Sequence, residues 1–189
     1  ANSANEGGGL AYCHGTIQNN VISGNSSIFD GGGLSQCDGI IHDNVISGNS
    51  TDEDGGTVDN CDGTIQNNII CHNSAHDEGG ALSGCDGTVQ NNTIVENLAA
   101  RTGGGLNHCL GIIRNCIIWG NRAGVSGKQI DQSNIPSFSC IENWSGSGRG
   151  NVTSGPLFVD AGRGDYHLRD GSPCIDAGIN YYWFTWPQR

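Results

Sequence analysis

The apolar residues of this chain recur with a period of 24 residues. The recurring positions are Cys13, Cys37, Cys61, Cys85 and Cys109, then Ile17, Ile41, Ile65, Val89 and Ile113, then Ile22, Ile46, Ile70, Ile94 and Ile118. Glycines and asparagines stand between them, and no helical spacing is sustained. Short β-branched runs between such bends are typical of strands, so the pattern predicts three short strands per repeat.

Glycine opens each repeat and asparagine closes it. The opening Gly-Gly pairs begin at Gly7, Gly31, Gly55, Gly79 and Gly103. Because the repeat has no insertions, equivalent residues must stack about 4.8 Å apart as parallel strands. We therefore predict an all-β fold, a right-handed parallel β-helix with 24-residue coils. Residues 1–124 form five regular coils, and residues 125–189 form an irregular final coil with a C-terminal cap or docking tail.

An asparagine at the same place in every coil predicts a buried ladder. In such a ladder each amide bonds to its copies above and below, which satisfies its polar atoms. The predicted ladder residues are Asn25, Asn49, Asn73, Asn97 and Asn121. A second column is predicted at Asn20, Asn44, Asn68 and Asn92, with Cys116 in its place in the fifth coil. Five copies favour a structural role for these amides over a catalytic one.

Composition and charge limit the kinds of partner that this chain is expected to bind. Glycine contributes 32 of 189 residues and charged residues only 14%, a bias that favours a repeat architecture. The net charge is -11, and all eight Lys and Arg residues lie at or beyond Arg101. Nucleic acid is therefore not an expected partner, since phosphate binding needs a basic stripe. No apolar run is long enough to predict a transmembrane segment.

Two acidic columns could carry chemistry. The first precedes the Gly-Gly steps and consists of Glu6, Asp30, Asp54 and Glu78. These carboxylates are either solvated and screened or share calcium ions between neighbouring coils, and no other cofactor is expected. The second column is Asp38, Asp62 and Asp86. Asp before Gly is typical of turns, and binding of sugar hydroxyls is the alternative for this column.

Several phrases resemble a known repeat family. Gly-Gly-Gly-Leu at 31–34, Cys-Asp-Gly-Thr-Ile-Gln-Asn-Asn at 61–68 and Ile-Ser-Gly-Asn at 22–25 resemble the right-handed parallel β-helix repeats of secreted bacterial proteins. They are also similar to chlamydial polymorphic outer-membrane protein repeats. The stretches 155–160, 164–168 and 171–178 resemble the terminal segment of such proteins. The resemblance covers nearly the whole chain and implies an extracellular or cell-surface location. One scaffold in this family carries surface proteins, adhesin-like proteins and carbohydrate-active enzymes, so it leaves the function open.

The nine cysteines admit two interpretations. In a secreted chain they favour a disulfide framework. The five cysteines of the repeat, however, point the same way in one column, which suits a buried thiol ladder better. Cys116 and Cys140 are the predicted disulfide, because they are 24 residues apart and the resembling proteins often carry Cys there too. Cys174 is the competing partner.

The two ends suggest assembly. Ala1 to Glu6 enters directly at the end of a repeat, so we expect another subunit to supply the coil above it. At the other end lie the aromatic residues Tyr181, Tyr182, Trp183, Phe184 and Trp186. They form either a plug over the last coil or a docking patch for the next molecule. Head-to-tail association of this kind would build a filament.

The leading functional prediction is an extracellular structural solenoid, either a filament subunit or a cell-surface or matrix component. The alternative is a protein that binds or cleaves carbohydrate. Five coils of identical length offer no cleft for the two carboxylates of glycoside hydrolysis, so an enzyme is not expected. The accessible Asn-x-Ser/Thr sites, which are glycosylation candidates, are Asn143 and Asn151.

Overall fold

The computed structural model describes residues 1–53 and 56–180, and these form a parallel β-solenoid. Four parallel sheets run along its axis. Strands pair with their copies one coil away: Val58, for example, lies opposite Leu34 on one side and Leu82 on the other. The predicted all-β fold with 24-residue coils is confirmed.

Each sheet takes one strand from each coil. The first sheet contains Ser3–Glu6, Ser26–Asp30, Ser50–Thr51, Ser74–Ala75, Leu98–Ala99 and Arg122–Ala123. The second contains Leu10–Ala11, Leu34–Ser35, Val58–Asp59, Leu82–Ser83, Leu106–Asn107 and Ile130–Asp131. The third contains Thr16–Gln18, Ile40–His42, Thr64–Gln66, Thr88–Gln90 and Ile112–Arg114. The fourth contains Val21–Ser23, Val45–Ser47, Ile69–Cys71, Thr93–Val95, Ile117–Trp119 and Cys140–Ile141.

The core is a set of like-on-like columns inside these sheets. In Thr64–Gln66 only the middle residue, Ile65, is buried, because alternate side chains of a strand point to opposite faces. The fully enclosed columns are Leu34, Val58, Leu82 and Leu106, then Ile41, Ile65, Val89 and Ile113, then Ile46, Ile70, Ile94 and Ile118. Stacking similar aliphatic side chains at every level fills the interior and fixes the register.

The expectation of three strands per coil is wrong, since each regular coil contributes to four sheets. The additional strands are those of the first sheet, which follow the closing asparagine. Their inward residues are small or polar, such as Thr51, Ala75 and Ala99, so they lack the apolar alternation that marks a strand in sequence. Small side chains suit this position because the glycine-rich bends pack closely against the same strands.

The chain then turns back on itself. Trp144 packs against the end of the core, and the segment that follows runs along the outside of the fourth sheet. This segment contains an antiparallel hairpin of strands Phe158–Asp160 and Asp165–Leu168, joined by the 3-10 turn Ala161–Arg163. No helix among the described residues is long and apolar enough to cross a membrane. The predicted docking aromatics at 181–186 lie outside the described residues.

Candidate functional site

The asparagine ladder runs through all five regular coils. The Nδ2 of Asn25, Asn49, Asn73 and Asn97 donates to the Oδ1 of the next ladder residue at 2.9–3.1 Å. From Asn49 onward each Nδ2 also donates to a backbone carbonyl of the preceding coil, as from Asn73 to Ile46 at 3.0 Å. At the far end Asn121 donates to the buried Gln129 at 2.8 Å. The sequence did not identify Gln129, which completes the ladder.

In the second asparagine column, a cysteine and then a serine replace asparagine at the C-terminal end. Asn44, Asn68 and Asn92 each donate to a carbonyl 27 residues earlier, and in the fifth coil the Cys116 thiol donates to the equivalent carbonyl of Val89 at 3.7 Å. In the next coil Ser139 occupies the column, and its Oγ accepts from the Cys116 amide at 3.1 Å. The step from Cys116 to Ser139 is 23 residues, one fewer than the repeat.

This one-residue step corrects the predicted disulfide. Cys140 lies opposite Ile117, not Cys116, so it projects to the outer face while Cys116 belongs to the core. No disulfide bond joins any two of the nine cysteines. The thiols of the repeat column donate to carbonyls two residues earlier, as from Cys37 to Ser35 and from Cys61 to Asp59. They form the buried thiol column and not a disulfide framework.

The first acidic column is only partly assembled. Glu6 lies opposite Asp30, and its carboxylate accepts from the Tyr12 hydroxyl at 2.8 Å. Glu78 instead accepts from Asn107 at 2.6 Å, and Asp54 lies outside the described residues. Within 1–53 and 56–180, no three His, Cys, Asp or Glu side chains converge as metal ligands would. Calcium at this column stays a prediction.

Asp59 is a buried carboxyl that the sequence did not single out. It is 2% exposed, on the second sheet between Ser35 and Ser83. Burial, and after it the charge of Asp30, raises the pKa of this carboxyl to about 7. Burial likewise raises the pKa of Asp30, with Glu6 as the next cause. Acidic side chains at this edge thus oppose one another's ionisation.

The second acidic column has a structural role between coils. Each Oδ1 accepts from the backbone amide one coil further on: Asp38 from Asp62, Asp62 from Asp86, and Asp86 from Leu110, at 2.8–3.1 Å. The Asp side chains therefore hold neighbouring bends together in register. These bonds use one oxygen of each exposed carboxylate, so sugar binding at this column stays a prediction.

The two glycosylation candidates differ in environment. Asn143 is exposed, and its backbone is left-handed with φ of 52°. The Asn151 amide is engaged on both sides: its Oδ1 accepts from the Ser139 amide at 3.0 Å, and its Nδ2 donates to the Pro136 carbonyl at 2.8 Å. The Asn151 amide is therefore held between two backbone groups, whereas Asn143 is open to solvent.

A group of side chains that sequence reasoning missed lies on the outer face of the fourth sheet. Two outward columns run along this face: Ser23, Ser47, Cys71, Val95 and Trp119, and beside it Gly24, Gly48, His72, Glu96 and Gly120. The second column has a positive φ in all five coils, between 55° and 68°. Glycine adopts this conformation without steric cost, whereas His72 and Glu96 adopt it at a cost. The third and fourth coils therefore depart from the repeat here.

The C-terminal hairpin packs over the third and fourth coils at this face, and a cavity of about 330 Å³ lies beneath it. Glu96, Trp119, Pro156, Phe158 and Tyr166 contribute to its wall. The rings of Phe158 and Tyr166 pack edge to face, with their centres 5.2 Å apart. Tyr166 is 8% exposed and packs over Cys71 and Val95. It thereby shields a thiol and an apolar side chain that point outward from the sheet.

Three polar groups meet beside this cavity. His72 Nε2 lies 3.2 Å from the Tyr166 hydroxyl and 3.2 Å from Glu96 Oε2. Burial, followed by the neighbouring Cys71, raises the pKa of the Tyr166 hydroxyl, so this group remains a neutral donor. About half of the His72 side chain is exposed, which leaves the imidazole and the Glu96 carboxylate accessible to a ligand. We name Glu96, Trp119, Phe158 and Tyr166, with His72, the hairpin pocket.

The hairpin pocket differs in its lining from a larger cavity at the start of the solenoid. That cavity, about 610 Å³, lies at the first coil and is lined by core residues such as Leu10, Ile17 and Ile22. Its described lining holds no carboxylate or imidazole. The hairpin pocket instead joins aromatic faces to a carboxylate and an imidazole, the combination that binds polar ligands with one apolar face.

Comparison of the chain with family models, with curated proteins and with solved structures finds no match. The fold therefore rests on the strand pairing described above, and the site on its own geometry.

Proposed function

We propose that this chain is a rigid extracellular structural solenoid, displayed at a surface or assembled head to tail. The observation that supports this function is the unbroken asparagine ladder, in which every coil is bonded to the next through buried amides. Such a ladder resists bending and slippage because a shift of any coil would leave several buried polar groups without partners. The regular coil length supports a load-bearing role over a catalytic one.

Electron microscopy of the chain tests assembly. Six coils span only about 30 Å along the axis, so rods many times longer than this in negative stain would support a filament. Loss of the rods on chelation, and their return with Ca²⁺, would support calcium at the Glu6 and Asp30 edge. Isolated short particles at all salt and Ca²⁺ concentrations would rule out self-assembly and favour a displayed rod.

The hairpin pocket supports a second function, carbohydrate binding. A sugar ring offers an apolar face that can stack on Trp119 and hydroxyls that can bond to Glu96 and His72. Its volume of about 330 Å³ is at the lower end of small-molecule sites and suits one or two sugar rings. Glu96 is the one carboxylate in the described wall, whereas glycoside hydrolysis uses a pair. We therefore propose binding without cleavage.

A glycan array followed by titration calorimetry tests this function. Trp119→Ala should weaken binding at least about tenfold, because stacking on an aromatic face is lost. Phe29→Ala is the matched control, since it removes an exposed aromatic ring from the first sheet and should leave binding unchanged. Equal affinity of the two variants would refute a site at the hairpin pocket. Release of reducing ends would refute binding without cleavage.

A further inference from the structure

Cys140 and Cys174 are placed together by two separate parts of the chain. Cys140 ends the fourth sheet on its outer face, is 4% exposed, and lies 3.3 Å from the carbonyl of Ser154. Cys174 belongs to the returning segment, and its thiol is close enough to that of Cys140 for each to shift the pKa of the other. The pair thus joins the last coil to the residues that follow the hairpin.

The position of Cys174 is fixed by its neighbours. Its amide donates to the Ser172 hydroxyl at 3.2 Å, and that hydroxyl donates to the carbonyl of Pro156 at 2.6 Å. Ser172 is itself 5% exposed. Pro156 belongs to the wall of the hairpin pocket, so the thiol pair and the pocket share one stretch of backbone.

The other buried cysteines are unsuited to bridging. In the repeat column the thiols donate to carbonyls of their own coil, and the Cys61 sulfur also accepts from the Cys37 amide at 3.2 Å. Cys116 is likewise bonded to Val89 and Arg114 carbonyls. Neighbouring thiols of this column also interact with one another, but a bridge between two of them would remove bonds that hold the coils. A bridge between Cys140 and Cys174 would cost only the bond from Cys140 to Ser154, and it would join two separate segments of the chain.

We propose that Cys140 and Cys174 form a disulfide bond by exchange with a low-molecular-weight disulfide, and that this bond fastens the C-terminal segment over the hairpin pocket. The Cys174 thiolate attacks one sulfur of the small disulfide, whose S–S bond breaks and releases one thiol. The Cys140 thiol gives its proton to solvent and attacks the Cys174 sulfur, which releases the second small thiol. Two protein thiols are oxidised, and the small disulfide accepts the two electrons.

Cys174 is the attacking thiol on electrostatic grounds as well. Interaction with the Cys140 thiol lowers the pKa of Cys174 to about 7, so a substantial fraction is thiolate near neutral pH. The same contact raises the pKa of Cys140, which therefore acts second. Access agrees with this order, because Cys174 is partly exposed and Cys140 is buried.

Oxidised glutathione tests the bond on the full chain. Peptide mapping by mass spectrometry without reductant should find Cys140 linked to Cys174, with the link absent in Cys140→Ser and Cys174→Ser. Cys13→Ser, which removes a partly exposed thiol of the first coil, should keep the link. Persistent glutathione adducts on Cys174, or links to other cysteines, would overturn the proposal.

The effect on the pocket rests on the proposed carbohydrate binding, so it is measured separately. Amide exchange of residues 158–168 should slow by more than about tenfold on oxidation, and not in Cys140→Ser. If the link forms and exchange slows but no glycan binds, the disulfide stands and the carbohydrate function fails. If the link forms without slower exchange, the fastening role is refuted.

Discussion

The buried carboxyl of Asp59 should make the solenoid less stable as pH rises. In the folded chain it lies on the second sheet, where Asn60 Nδ2 donates to its Oδ2 at 2.6 Å. Burial and the nearby Asp30 raise its pKa to about 7. In the unfolded chain the pKa returns to the ordinary value of 3.8. Between these two values the folded state keeps a proton that the unfolded state has lost.

The sign and size of the effect follow from this difference. Because the folded pKa is the higher one, stability falls as pH rises from about 4 to about 7 and then levels off. Each pH unit of this window is worth about 1.4 kcal/mol, so the full loss is roughly 4 kcal/mol. Asp59→Ser installs the residue that the neighbouring coils carry, Ser35 and Ser83, and should remove this loss.

Urea unfolding at several pH values between about 4 and 8 measures this loss of stability. Asp59→Ser should exceed the wild type in stability by an amount that grows with pH, to several kcal/mol at pH 8. Asp52→Asn removes an exposed carboxylate of the same region and controls for the change in net charge. If wild type and Asp59→Ser lose stability in parallel as pH rises, the buried carboxyl is not the cause.

Further predictions concern the ladder and the hairpin pocket. Asn73→Ala should lower the free energy of unfolding by about 3–5 kcal/mol in urea, because it leaves several buried groups without partners, while Asn5→Ala at an exposed strand position should cost under about 0.5 kcal/mol. Glu96→Gly should raise stability by about 1 kcal/mol by relieving a left-handed backbone, and Gly120→Ala should lower it by a similar amount in thermal unfolding; the reverse order would refute the strain. Tyr166→Phe should weaken glycan binding in calorimetry but change stability by less than about 1 kcal/mol, since the ring packing remains.

The fold could be predicted from sequence because each core position recurs in five consecutive repeats. Once Ile65 is known to face inward, its copies at every coil must do so too, and the parallel register follows. The strands of the first sheet were missed because residues such as Ala75 and Thr51 carry no apolar alternation. Asn25 and its copies were identified for the opposite reason, since an amide repeated in every coil has a structural explanation that a single amide lacks.

The placement of Cys140 and Tyr166 could not be derived in the same way. The spacing of 24 residues between Cys116 and Cys140 suggests one column, but a one-residue deletion before Cys140 turns its side chain to the opposite face. Tyr166 meets His72 across 94 residues of chain, and no periodic pattern specifies where a returning segment will pack. Both features depend on the irregular part of the chain, where the repeat no longer constrains the structure.

In a solenoid of equivalent coils, a specific site requires a difference between coils. The acidic columns repeat from coil to coil, and the carboxylates of the second column bond to backbone amides of the next coil. At the hairpin pocket the repeat is broken: His72 and Glu96 replace glycine at a backbone conformation that favours glycine, and Trp119 stands in a column of smaller side chains. Substitutions that work against local conformational preference persist where another contact offsets their cost. Here the returning hairpin and a ligand between the aromatic rings and Glu96 would supply that contact, which is why this pocket is the stronger candidate for recognition.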